Sequence, residues 1–442
     1  MLTRVCIYVA LLIAAPIFPQ AISPVNPAPA QNNDQMATPP PVSGVAYPTA
    51  LGADVRSNYL RGGMTLVTAY IDNIYPGNGS PTAETTFSIL PSIDFDQTTP
   101  IRHAAITFSP GFTFYQPSSQ LNEVDENASL AYQVQLTPHS SIRVNDGFRY
   151  SSTSFSSVAS EIGGAVSGSA QPITPGIIAP FAKQLTNIAD GEFVLQMSRS
   201  SMIGASGTAT TLHYPNPSEV TGLYDSSSHG GSGFYNRRIS ESQYLGATFN
   251  YTDVFAYPPN AESDTQLQGI SGFYTIYPRQ KLSLSVSGGP QNYQVKETGL
   301  STFSAWDPSI STSIGWQGLH TSLAASYSQS VTGGGGLVGA FHSKNANATV
   351  RWQISRAWVI GAGADYAISR TVSPLIFTGV PNVRSVSASS TVTRAINQQL
   401  NLTFEYDRLH ESYGVIATRP SSPDSDRATV SVSWQFTRPL GQ

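Results

Sequence analysis

The sequence predicts an all-β fold: a transmembrane, antiparallel, up-and-down β-barrel of about eighteen strands, with sixteen the next count. Three observations predict it. Apolar and hydroxyl or amide side chains alternate strictly, as where Val430, Val432, Trp434 and Phe436 interleave with Ser431, Ser433 and Gln435. Tight polar turns recur at nearly constant spacing, which is the repeat of one hairpin. Only 11% of the 442 residues are charged, against roughly 25% in ordinary globular domains. Ser, Thr, Gly, Asn and Tyr take their place, so the polar face is neutral rather than ionic.

From the N-terminus, Arg4 precedes an apolar run from Val5 to Ala15. That is the pattern of a secretory signal peptide over residues 1–21. The alternative is an uncleaved anchor, but Pro16 and Pro19 break the run, which is short for a spanning helix of about 20 residues. Cleavage is expected after Ala21, or after Ala30 at the end of "APA". Cys6, the one cysteine, lies inside the run, so no disulfide or cysteine metal site is expected in the mature chain. Residues 22–61, with "TPPP" at 38–41, read as a Pro-rich disordered linker and lead-in. The barrel is expected over 62–437 and a short periplasmic tail over 438–442. No other stretch is long and apolar enough for a membrane helix, so a membrane location would require the chain to cross as strands.

Alternation marks the strands. Leu130, Tyr132, Val134 and Leu136 share one parity, as do Leu245, Ala247, Phe249 and Tyr251, and Leu400, Leu402, Phe404 and Tyr406. Asp146 and Arg237 fall on the apolar parity of their runs, which predicts a bulge or another register there. Turn centres at 199, 241, 279, 318, 356 and 397 step by 42, 38, 39, 38 and 41 residues. Each step holds two strands of about 10–13 residues, a short turn and a longer loop. Loops are expected at "PNPSEVTGLYDSSSHGGSG" (215–233) and "VTGGGGLVGAFHS" (331–343). Short turns on one side and long loops on the other place the short side in the periplasm. Tyr244, Tyr277, Trp316, Trp352, Trp358 and Trp434 lie near the short turns and would form the periplasmic aromatic girdle. A soluble sandwich or solenoid would favour Leu, Ile, Val and Phe over Ala, Gly and Tyr, and would not repeat with one-sided loops.

In a barrel of this size side chains do not fill the lumen. One step is 60 residues instead of about 40, and the excess at 156–192 is a candidate to fold inward and narrow the barrel, or to cap it from outside. The candidate pore-lining charges are Arg143, Arg149, Arg351, Asp365, Glu405 and Asp407. They would either set a field across the lumen or form local pairs in its wall. The seven histidines show no spacing tied to a nucleophile. "GGGG" at 333–336 lacks the Lys-Ser/Thr of a phosphate loop. No metal-ligand spacing appears. Neither catalytic residues, cofactor nor metal is therefore expected, and the chain is not read as an enzyme. A net charge of −4 offers no field for nucleic acid.

The chain resembles the outer-membrane β-barrel porin superfamily, and within it porins sharing the blocks "SNYLRGG", "SPGFTFYQ", "GGGGLVGAFHS" and "FTRPLG". The resemblance covers most of residues 45–442. It implies the fold and a place in the bacterial outer membrane; no functional residue transfers with it. Many such barrels end on an aromatic, whereas here six residues follow Phe436. Trp434 and Phe436 are the expected signal for the barrel-assembly machinery. The expected function is a passive aqueous pore for small hydrophilic solutes. The alternatives are an exporter barrel for an exopolysaccharide and a structural or plugged barrel. Outer-membrane lipid is the expected surround, and a homo-oligomer is compatible with the sequence.

Overall fold

The computed structural model describes residues 58–74, 82–99, 101–151, 183–216, 224–259, 262–279, 281–299, 301–333, 338–372, 383–413 and 424–439. The expected signal peptide, nearly all of the linker, residues 156–182 of the long loop and residues 440–442 lie outside the described residues.

Eighteen strands follow in chain order. The first six are β1 (Asn58–Ile71), β2 (Glu84–Thr98), β3 (Arg102–Gln116), β4 (Glu123–Thr137), β5 (Ser140–Ser151) and β6 (Gln184–Ser198). The next six are β7 (Ser201–His213), β8 (Ser226–Ser240), β9 (Gln243–Ala256), β10 (Ser263–Arg279), β11 (Leu282–Glu297) and β12 (Phe303–Gln317). The last six are β13 (Thr321–Gly333), β14 (Ala340–Gln353), β15 (Trp358–Thr371), β16 (Val383–Ala395), β17 (Leu400–Tyr413) and β18 (Asp424–Pro439). Every strand pairs antiparallel with its sequence neighbours, and β18 returns to β1, so the sheet closes. All six turn centres read from the sequence are real connections, from β6–β7 to β16–β17. Tyr59 faces Pro439, which puts both ends of the barrel on the short-turn side.

Alternation decides which face looks out. Met64, Leu66 and Tyr70 on β1 are exposed, and so are Phe108, Phe112 and Phe114 on β3 and Val430, Val432, Trp434 and Phe436 on β18. A closed ladder with an apolar exterior is the way strands span a bilayer, since lipid cannot satisfy a free N–H or C=O. This is the architecture of outer-membrane β-barrels.

The strands are longer than expected, up to 17 residues in β10. At about 3.3 Å per residue and a tilt near 40°, a 15-residue strand stands roughly 38 Å tall, beyond an apolar band of about 25 Å. The excess appears as polar outward residues at the long-loop ends. Lys296 Nζ meets Asp264 Oδ2 at 3.3 Å, and Tyr251 Oη donates to Asp253 Oδ2 at 2.8 Å. Part of each expected loop is consequently strand: Ser226–Gly233 belongs to β8, Val331–Gly333 to β13, and Ala340–Ser343 to β14. Residues 184–192 of the expected 156–192 loop belong to β6.

Other expectations change as well. The ladders on both sides of Asp146 are continuous, so no bulge lies there; Asp146 Oδ1 instead accepts from Asn187 Nδ2 at 3.0 Å. Near Arg237 the register does shift, between Arg238 and Ser240. Tyr244 and Tyr277 are not girdle residues: they lie inside the barrel, edge to face at 5.8 Å, with Tyr244 buried beside Met202. Trp316, Trp352, Trp358 and Trp434 do stand exposed on the outer face. The barrel also starts earlier and ends later than 62–437, because Thr437, Arg438 and Pro439 pair with Arg61, Leu60 and Tyr59.

Candidate functional site: the inward wall

The inward parity carries hydroxyls, and the ladder brings them together in cross-strand pairs. Thr65 Oγ1 donates to Ser433 Oγ at 3.0 Å across β1–β18. Ser206 and Ser232 meet at 2.6 Å, Thr275 and Ser285 at 2.7 Å, and Thr393 and Thr403 at 3.1 Å. Each pair holds two neutral groups that satisfy one another.

All six candidate lining charges lie on the inward parity, in separate places. β5 carries Arg143 and Arg149. Arg143 forms an ion pair with Glu192 directly opposite on β6. Arg149 lies diagonal to Asp125 across β4–β5 and feels its charge. In the same sector Asn145 Nδ2 donates to Asp190 Oδ2 at 2.9 Å, and Tyr115 Oη donates to Glu123 Oε1 at 2.7 Å. A second sector spans β15–β18. Asp365 Oδ2 accepts from Ser387 Oγ at 3.5 Å. Asp407 faces Arg427 across β17–β18, with Glu405 two residues along. Arg351 lies on β14, between Ser322 and Gly361.

Arg143 pairs with Glu192, and Asp407 faces Arg427, on neighbouring strands of the wall and not across the lumen. Asp407 is only 1% exposed and Glu411 2%, so this part of the second sector is covered rather than open to the lumen. Sequence reading missed Asp190, Glu192, Arg427 and Glu411. Their signal was parity alone: Arg427 lies on the same parity as Ser431 and Ser433, just before the run that alternates cleanly.

Among the described residues, three apolar clusters lie on the inside. Met202 and Tyr244 sit near the short turns, while Ile71, Tyr115 and Leu409 form one group near the long loops. The third joins Leu267, Tyr293 and Val295 to Val331 and Ala340. Four histidines pair with aspartates: His103–Asp96 at 3.1 Å, His213–Asp225 at 2.6 Å, His342–Asp307 at 3.5 Å and His410–Asp424 at 2.5 Å. Trp434 and Phe436 face outward with ring centroids 5.5 Å apart. The β17 ladder ends at Leu400↔Trp434, so Phe436 is held by β1 alone.

No protein-family model matches the chain, and no curated protein matches it. Several solved structures are similar. The FrpB iron transporter from Neisseria meningitidis (F5-1 variant) is 9% identical, with a TM-score of 0.45, over 87% of this chain and 83% of that one. OccK2 (OpdF) of Pseudomonas aeruginosa is 9% identical, with a TM-score of 0.43, over 86% and 98%. The outer membrane protein opdK of Pseudomonas aeruginosa is 7% identical, with a TM-score of 0.41, over 86% and 99%. Function has to come from the wall's own chemistry, since one barrel architecture serves many tasks.

Proposed function

We propose that this barrel is an outer-membrane pore through which small hydrophilic solutes pass passively. One observation carries the reading: eighteen strands close around a wall whose inward face is built of paired hydroxyls. Eighteen strands at about 4.8 Å spacing and 40° tilt enclose a backbone cylinder about 35 Å across, wider than side chains can fill. Hydroxyls along the wall offer solutes weak, exchangeable hydrogen bonds, which favour passage over capture. Under this reading the short turns are periplasmic and the long loops extracellular.

Refolded protein in a planar lipid bilayer tests the proposal. The expected result is stepwise ohmic conductance from protein that shows heat-modifiable migration. Folded protein with no conductance steps would overturn it. The inward apolar clusters favour a second reading, a barrel sealed by its own contents, and that reading requires the silent outcome.

A further inference from the structure

The wall is incomplete between β12 and β13. Their ladder runs only from Gln317↔Ser322 to Ile310↔Gln329, while β11–β12 continues to Val295↔Phe303. From Phe303 to Ser309, β12 therefore has a strand partner on one side only. Pro308 explains where the ladder stops. It faces Pro290 across β11–β12. Two residues without N–H cannot make a hydrogen-bonded pair, so the donor missing at Pro308 is the one aimed at β13.

Beyond Gln329, β13 turns into the barrel. Val331 shares the outward parity of Leu323 and Tyr327, which are 42% and 37% exposed, yet it is 1% exposed. It packs with Leu267, Tyr293, Val295 and Ala340, three of them on the inner faces of β10 and β11. Gln291, also on the inner face of β11, grips its backbone. Gln291 Nε2 donates to the Val331 carbonyl, and Gln291 Oε1 accepts from the Val331 N–H, both at 2.9 Å. The side-chain amide thus replaces the neighbouring strand that β12 does not provide. His342, opposite Val331, reaches Asp307 on the inner face of β12 at 3.5 Å. Gly333 abuts Val254 on β9, four strands away, where a Cβ would come within 2.5 Å of Cγ1. Gly339 has φ +93°, a left-handed conformation that favours glycine where the chain enters β14.

We infer that the outer ends of β13 (Val331–Gly333) and β14 (Ala340–Ser343) are a movable section of wall, latched inside the lumen by Gln291 and an apolar seam, and that their displacement toward β12 opens the long-loop end of the pore. The inference rests on the pore reading above. Both positions satisfy most of the backbone groups involved: inside, Gln291 serves Val331; outside, the free edge of β12 serves all but the place at Pro308. A small number of contacts then chooses between two packed arrangements, which is the condition for a switch.

The test uses the full chain with Cys6→Ser, which leaves no native thiol. Gln291→Ala removes the latch, and Pro308→Thr restores a donor facing β13. Each is expected to raise severalfold the time spent in a larger conductance level. A cleavable bismaleimide joining Leu267→Cys to Ala340→Cys is expected to abolish that level until it is cleaved. If the parent conducts and neither release nor locking alters the current, the gate is overturned and the pore reading stands. If no variant conducts, the pore reading fails, and labelling decides the hairpin's movement. Ala340→Cys should react faster with a membrane-impermeant maleimide when combined with Gln291→Ala; an unchanged rate overturns the inference.

Discussion

Three aromatic rings lie over the glycines they face across the sheet: Phe436 over Gly62, Phe234 over Gly204, and Phe273 over Gly246. In each case a Cβ on the glycine would come within 2.3 Å of a ring carbon. The ring covers backbone that a glycine strand otherwise leaves bare, and the missing Cβ lets it lie flat. Gly62→Ala and Gly246→Val should each destabilise the barrel by about 1–3 kcal/mol through overpacking. Urea unfolding in detergent micelles, followed by tryptophan fluorescence, would measure the loss; midpoints equal to the parent's would remove the steric argument. These pairs were not legible in the sequence. Gly62 stands in "SNYLRGG" with nothing nearby to explain it, because its partner is near the other end of the chain. A local pattern shows which face a residue takes, but not which residue on another strand it meets.

At the scale of one element, the terminal strand divides into parts with different roles. Phe436 covers Gly62, while Thr437 to Pro439 extend the closing ladder against β1 beyond the last residue paired with β17. Deleting 438–442 removes two positions from that ladder, and a ladder hydrogen bond is worth about 1 kcal/mol net. Phe436→Ala loses the large outward side chain that ends the strand's apolar run and bares Gly62, which outweighs the two lost ladder positions. The expected order of folded, heat-modifiable barrel recovered from membranes is parent, then Δ438–442, then Phe436→Ala. A deletion more damaging than Phe436→Ala would place the assembly signal in the tail. The end of the strand was only partly legible, because Pro439 reads as a terminator, yet a final residue on a strand edge needs no donor. The β13–β14 hairpin misled for a related reason. "VTGGGGLVGAFHS" reads as loop because it is rich in glycine, and its strand ends are held by Gln291, 40 residues before Val331, which no local window contains.

For the whole molecule, period and count were legible and the arrangement of the interior was not. Two solvents impose a period of two on every strand, and the hairpin repeat spaces the turns, so eighteen strands could be counted from sequence alone. Which inward residues remain open depends on contacts between distant strands, as the burial of Asp407 shows. Net charge nonetheless leads to a whole-barrel prediction. Among the described inward positions, Glu84, Asp94, Asp96, Glu123, Asp125, Asp190, Glu192, Asp307, Asp365, Glu405, Asp407 and Glu411 outnumber Arg61, Arg143, Arg149, Arg351, Arg427 and Arg238. Glu192 is neutralised in place by Arg143, while Asp96 is 27% exposed at its side chain near the short-turn mouth, beside His103. An excess of fixed negative charge around a wide lumen concentrates cations within about a Debye length of the wall, about 10 Å at 0.1 M salt. The pore should therefore prefer potassium to chloride in a potassium chloride gradient. The preference should weaken as total salt rises toward 1 M, where the screening length falls to about 3 Å. Asp94→Asn combined with Asp96→Asn should move the reversal potential toward zero while leaving unfolding midpoints close to the parent's. An anion-selective reversal potential at low salt would mean that the covered acids take no part and that the arginines alone set the field.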